Sequence, residues 1–271
     1  MGVLNVTPDS FYDGGRYLGP DAARAQVDQM LAEGASIIDV GAESSRPGAE
    51  SVPAADQLAR LDAALHHAVA RGALVSIDTT SPEVAERALA LGARIVNDVS
   101  CLADPELARV TARANATLVL MHARGPMSAQ RGFSAYPDAG YGDVVLDVLA
   151  EWRAARGRAA DAGLAPNDVW FDPGLGFAKN ARHSFELLAR LAELTQEGVP
   201  VVVGPSRKSF IASVDGAPPA ERLGGTVAAC LAAVERGARV LRVHDVRAVG
   251  QALAVARLAR RPPAQVEAPH A

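Results

Sequence analysis

One repeating unit constrains this chain more than any other feature. A helical stretch ends in glycine, a β-branched run follows, and the run stops on a polar side chain. The unit occurs as EGASIIDVG, RGALVSID, LGARIVND and RGARVLRVHD, with a looser copy in EGVPVVVGPSRK. Gly34, Gly72, Gly92, Gly198 and Gly237 stand where a helix needs a closing residue with positive φ. The runs are apolar on both faces, so they predict strands of a buried parallel sheet. Eight such runs are found, at about 1–5, 36–41, 73–78, 94–98, 117–122, 168–172, 200–204 and 239–244. Amphipathic helices fill the gaps. Leu58, Leu61, Leu65 and Val69 share one face, and so do Val145, Val148, Leu149 and Trp152. Ser81-Pro82 forms a cap and first-turn pair.

Eight β-α units in this length predict an α/β fold, a single-domain (β/α)8 barrel over residues 1–260 with a flexible tail at 261–271. The competing doubly wound sheet would need a glycine fingerprint after its first strand to bind a dinucleotide, and neither GxGxxG nor GxxxxGK[ST] occurs. Lys and Arg total 27 against 31 Asp and Glu, and the cations are scattered, so nucleic acid is not the expected partner. No apolar run reaches the ~18 residues of a membrane helix, and the opening MGVLNVTPDS has neither a basic n-region nor a long apolar h-region. Cys101 and Cys230 lack a CxxC pattern and read as two thiols of a cytoplasmic enzyme.

Barrel chemistry sits at the C-terminal strand ends. Asn5, Asp39, Glu43, Asp78, Asn97, Asp98, His122, Asp172, Ser206, Arg242 and His244 fall there. Asp78, Asn97 and Asp172, from three strands, form an edge that reads hydrogen-bond donors and suits a flat heterocycle with N–H and amino groups. The plainer reading is that each caps the next helix, which is even odds for one residue and much weaker for three together. Asp39 and Asp98 read as structural, out of phase with or just beyond the inward residue. GPSRKSF after the seventh strand offers Gly204, Ser206, helix amides and the cations Arg207 and Lys208 to an anion. Its Gly-x-Ser lacks the second glycine of a hydrolase elbow. Arg242 and His244 alternate and point the same way, making a second cationic patch. Asn5 lies beside them once the barrel closes, and an amide next to such a patch suits Mg²⁺-diphosphate. His66, His67, His183 and His270 have no metal spacing and read as surface or structural, and nothing points to zinc.

The motifs MGVLNVTPDSFYDGG, DVGAESSRPGA, SIDT, NDVS, MHARG, FDPGLGFAK, VGPSRKSFIA and RVHDV occur in this order across the barrel. Together they resemble the block motifs of dihydropteroate synthase. The resemblance implies condensation of 6-hydroxymethyl-7,8-dihydropterin diphosphate with p-aminobenzoate, giving dihydropteroate and diphosphate in folate synthesis. It implies that Asp78, Asn97, Asp172 and Lys208 hold the pterin, with Arg242 stacked over the ring. Asn5 would be the Mg²⁺ ligand, and Asn5, Arg242 and His244 would hold the diphosphate. Phe11, Ser45, Arg46, Pro47, Phe177, Lys208 and Ser209 would form the p-aminobenzoate pocket. Phe11 and Asp13 would ride on a mobile first loop and Arg46 on the second. Asp13, Arg46, Lys208, Arg242 and His244 are thus the expected catalytic set. A homodimer and sulfonamide inhibition are also implied.

Ala42, Ser45, Tyr12, Ala178 and a 125–130 segment one residue short depart from the family's usual pattern. They touch access for p-aminobenzoate and leave sulfonamide sensitivity open. The chain also begins inside its first motif, so a weaker cap at the barrel floor is expected. Two other readings share the acidic edge: a pterin-binding methyltransferase-type domain, and a barrel that binds pterin without catalysis. Neither needs Asn5, Arg46 and a diphosphate patch.

Overall fold

The computed structural model describes residues 1–7, 19–43, 52–125 and 134–260. Six strands run parallel and in order: β1 (Gly2–Asn5), β2 (Ile37–Gly41), β3 (Leu74–Asp78), β4 (Ile95–Asp98), β5 (Thr117–Met121) and β6 (Val169–Asp172). A second parallel pair, β7 (Val202–Val203) and β8 (Val240–Leu241), completes the set of eight. Two single bridges close the ring. Phe171 pairs with Val201 and Gly2 with Val243, supported by Phe171 N–H to Pro200 O at 2.9 Å and Val3 N–H to Val243 O at 3.0 Å. The last two strands are shorter than the 200–204 and 239–244 runs. Their flanks keep isolated bonds, Arg239 N–H to Val201 O and Arg242 N–H to Val203 O, without a continuous ladder.

Helices cover the outside: α1 (Pro20–Ala32), α2 (Ala54–Ala70), α3 (Pro82–Leu91), α4 (Pro105–Arg113), α5 (Val144–Asp161), α6 (Ala181–Ala189), the short α7 (Leu191–Leu194) and α8 (Ser209–Ala212), α9 (Leu223–Glu235) and α10 (Val246–Ala259). The five expected closing glycines all have positive φ. Gly92 shows why: its φ is 118°, and a Cβ there would lie 2.9 Å from Val69 Cγ1. The Ser81 hydroxyl accepts from Val84 N–H, as its pairing with Pro82 predicts. Leu61 and Leu65 of α2 and Val145, Val148, Leu149 and Trp152 of α5 are buried. Trp152 stacks on Phe171 at 4.2 Å and donates its indole N–H to Leu120 O.

The register fixes which side chains enter the barrel. Asn5, Gly41, Asp78 and Asn97 are successive partners across β1 to β4, and Met121 pairs with Asp172. Alternation then places Met1, Ile37, Ile95, Val119, Trp170, Val202 and Val240 inside, where they pack as one apolar layer. Polar residues two positions further along sit on that layer. Residues 261–271 lie outside the described residues. Among the described residues, no helix is long and apolar enough to cross a membrane.

Candidate active site

The inward layer above the apolar plug is a charge network. Arg242 donates from Nε to Asp39 Oδ2 at 2.6 Å and from a terminal nitrogen to Asp78 Oδ2 at 2.5 Å. The Asn97 amide donates to the same Asp39 oxygen at 3.2 Å. Asp39 is therefore not out of phase. It shares the inward face of β2 with Gly41, and it ties β2, β4 and β8 together under the site. Its register partner is Ser76, and Asp39 Oδ1 and Ser76 Oγ are buried with no hydrogen-bond partner among the described residues. Asp98 does point outward, receiving the Ser100 amide and hydroxyl and the Leu102 amide. The structural reading of Asp98 stands, and that of Asp39 gives way to a place in the site's floor. Gly41 allows the rim to close: a Cβ there would lie 3.2 Å from Asp78 Cβ and 3.6 Å from Asn5 Oδ1.

Burial sets the charges. It holds Asp78 above the ordinary carboxylate range against the pull of Arg242, with Asp39 adding to the rise. Asp172 is likewise raised by burial, and Lys208 opposes this. Asp172 Oδ1 takes the Gly174 amide at 2.7 Å. Lys208 donates to Leu175 O at 2.7 Å and stands 4.5 Å from the Phe177 ring centre. Burial pushes its ammonium down to about 8. Phe177 packs with Val99, Met121 and Ala123 as a small apolar wall. Ser209 meets Ser134, hydroxyl to hydroxyl, at 2.7 Å.

The anion corner differs from the expectation in three respects. Arg207 does not face an anion: it is paired with Asp245 at 2.6 Å and donates to Pro219 O and Ala220 O. The helix α8 has four residues, and the Arg207 amide that would lead into it already bonds Thr226 Oγ1. His244 is not cationic, because burial and then Arg242 push it down to about 4. Ser206 Oγ accepts the His244 amide at 3.2 Å and lies 3.0 Å from its Nδ1, which fixes the orientation of the imidazole. The corner thus offers an amide, a neutral imidazole and a guanidinium already matched to two carboxylates.

His122, counted among the strand ends, faces out of the barrel. Its Nε2 meets Glu151 on α5 at 3.0 Å and its Nδ1 meets Lys179 at 2.8 Å. Glu43 closes the base of the second loop, accepting from the Val52 amide and the Gln57 side chain. His66 and His67 pair with Asp62 and Asp28, and His183 caps α6. Phe11, Tyr12, Asp13, Ser45, Arg46, Pro47 and the shortened 126–130 stretch lie outside the described residues, as does His270. The sequence reading missed Lys179 and the Asp39 contribution. Counting by twos back from the Gly41–Asp78 pair would have found Asp39, whereas nothing in the sequence marks Lys179.

No group of three or more His, Cys, Asp or Glu among the described residues is arranged to hold a metal. A single amide oxygen at Asn5 beside Arg242 and His244 would nevertheless fit Mg²⁺, which takes few protein ligands and keeps waters and phosphate oxygens. The fit is also electrostatic, since Arg242 is already matched and His244 is neutral.

Comparison with known proteins agrees with this geometry. The model of the family described as pterin binding enzyme matches residues 1–244. The dihydropteroate synthase of Mycobacterium leprae is 48% identical over 262 residues, covering 94% of this chain and 91% of the relative. The crystal structure of Yersinia pestis dihydropteroate synthase with a sulfonamide drug superposes with a TM-score of 0.89 at 35% identity, covering 96% of this chain and 93% of the other. That of the Xanthomonas albilineans synthase with 4-aminobenzoic acid gives 0.87 at 40% identity, covering 97% and 93%.

Proposed function

The chain belongs to the dihydropteroate synthases, transferases of folate biosynthesis within the pterin-binding enzyme family, and from that membership we propose how its own residues work. The donor-reading floor of Asp78, Asn97 and Asp172 holds the dihydropterin, with Lys208 and Arg242 at its edge. Asn5, Arg242 and His244 hold the diphosphate. Phe177, Lys208 and Ser209 form the described part of the p-aminobenzoate pocket, and the family resemblance assigns Phe11, Ser45, Arg46 and Pro47 to the same pocket. The observation that carries this reading is the acceptor-rich floor: Asp39 and Asp78 share one guanidinium and Asp172 adds a third inward carboxylate, so the ligand's buried edge is expected to donate.

The chemistry follows from the charges. Diphosphate leaves only when its charge is offset, and this corner is short of positive charge. Mg²⁺ held by Asn5 would supply that charge at the leaving oxygens. Arg242 and His244 orient the leaving group. Departure leaves a cationic pterin methylene, and the carboxylates Asp78 and Asp172, with Asp13, stabilise it. The apolar wall around Phe177 excludes water that would compete with the arylamine. The arylamine proton becomes acidic once the C–N bond forms, so no strong base is required. Asp13 and Arg46 act from the loops.

We infer a homodimer as well. Val255 is 61% exposed on α10, and Leu258, three residues on, is exposed on the same helix. A cytoplasmic location and sulfonamide inhibition belong to the same proposal. The test is dihydropteroate formation from the dihydropterin diphosphate and p-aminobenzoate, with and without Mg²⁺ and with a sulfonamide as competitor. Product that requires Mg²⁺ and falls with the sulfonamide is expected. Well-folded protein that forms no product overturns the reading.

A further inference from the structure

Lys179 is fully buried, and its role is not explained by the reaction. Its ammonium reaches His122 Nδ1 at 2.8 Å, Phe177 O at 3.0 Å and His122 O at 3.4 Å. No carboxylate among the described residues lies within ion-pairing distance of it. A buried lysine surrounded only by neutral acceptors is costly to keep, and its retained contacts are all structural anchors of one loop.

That loop is FDPGLGFAKN, and its backbone is wound unusually tightly. Gly174, Gly176 and Ala178 have φ of 66°, 81° and 47°. A Cβ at Gly174 would lie 2.1 Å from His122 O, so the loop is pressed onto the end of β5. The left-handed residues alternate with ordinary ones, and neighbouring carbonyls go to different donors. Leu175 O takes Lys208, Phe177 O takes Lys179, and Ala178 O takes the Tyr141 hydroxyl. Two lysines thus grip one loop, Lys208 in the site and Lys179 behind it.

Behind Lys179 the contacts continue. With Nδ1 accepting from Lys179, His122 carries its proton on Nε2 and donates to Glu151. Burial, and next the Lys179 charge, push His122 down to about 4, so the ring is uncharged at neutral pH. Arg124 binds the same Glu151 carboxylate, lies 3.8 Å from the Tyr141 ring centre, and opens the segment leading to Ser134.

We propose that Lys179 is a positioning residue for the amine substrate: it fixes the Phe177 backbone so that the Phe177 ring and Lys208 meet the p-aminobenzoate in register. The proposal rests on the dihydropteroate synthase reading. Wild-type turnover, measured first, separates failure of that reading from failure of this role.

The test is Lys179→Met in the full chain, with both substrates varied. A positioning role raises KM for p-aminobenzoate about tenfold, as misplacement of a binding wall does. KM for the dihydropterin diphosphate and kcat stay within about twofold. An unchanged KM for p-aminobenzoate, or both KM values rising together, overturns the proposal. A measurement on the wild type guards against misfolding of the variant. In protein with ¹⁵N-labelled histidine, His122 Nδ1 is expected to be unprotonated at neutral pH, and its signal to shift when p-aminobenzoate is added with diphosphate and Mg²⁺. A protonated Nδ1, or no shift on adding p-aminobenzoate, counts against the role.

Discussion

The two walls of the site are built on different principles. The wall proposed to hold the pterin comes from strands: Asp39, Asp78, Asn97, Asp172 and Arg242 stand on β2, β3, β4, β6 and the end of β8, locked by register and by a guanidinium shared between two carboxylates. The amine wall comes from loops: Phe177, Lys208 and Ser209 are held by backbone carbonyls, left-handed turns and a lysine behind them. Charge matching makes the first wall rigid. The second depends on carbonyl direction, so small backbone changes move it. On the proposed reading, the difference would place dihydropterin recognition in the barrel and leave amine recognition to segments that can vary without disturbing the core.

Breaking the strand wall should have the largest effect. Arg242→Met leaves Asp39 and Asp78 unmatched in a buried layer, and removal of one partner from such a network costs about 3–5 kcal/mol of stability. Turnover should fall about a hundredfold or more through loss of charge stabilisation at the leaving group. Denaturant melts and initial rates check both values. A variant with wild-type stability would show that the network is not what holds the wall.

A smaller effect sharpens the contrast from the loop side. Burial lowers the Lys179 ammonium to about 7. Between that pH and the ordinary lysine range, the unfolded chain holds a proton that the folded chain has released. Stability therefore rises with pH across this window, by at most ~1.4 kcal/mol per pH unit, and the burial cost of the charge is fully present below it. Subtracting the pH–stability curve of Lys179→Met from that of the wild type should isolate this slope. A difference curve flat from pH 7 to 10 would mean that Lys179 is not a buried ammonium that titrates.

Much of this was legible in the sequence, and the rest failed for physical reasons. Glycine followed by a β-branched run and a polar stop located five of the eight strands, and apolar runs of strand length located the other three, because helix closure, buried parallel pairing and a polar rim each leave a separate mark. Asp78, Asn97 and Asp172 are recognisable by type as polar residues ending inward strands, whereas Lys208 was marked by the GPSRKSF segment after the seventh strand. Asp39 was misread because its phase is set by pairing with Val3 and Ser76, not by its own run. Arg207 and Lys208 are adjacent, yet a left-handed backbone at Arg207 sends them apart, one to Asp245 and one to the site. His244 looked cationic because burial is invisible in sequence. Lys179 lies inside a recognised motif, but only the fold reveals that its ammonium is sealed behind the loop.

The account's central claim is that the two walls recognise the two substrates separately. Both KM values, measured side by side in Asp172→Asn and Phe177→Ala, test it directly. Asp172→Asn should raise KM for the dihydropterin diphosphate about ten- to hundredfold, the loss expected when a hydrogen bond to a charged group is removed, and leave KM for p-aminobenzoate near its original value. Phe177→Ala should do the reverse. Each substitution raising both KM values equally would contradict the division of the site into two walls.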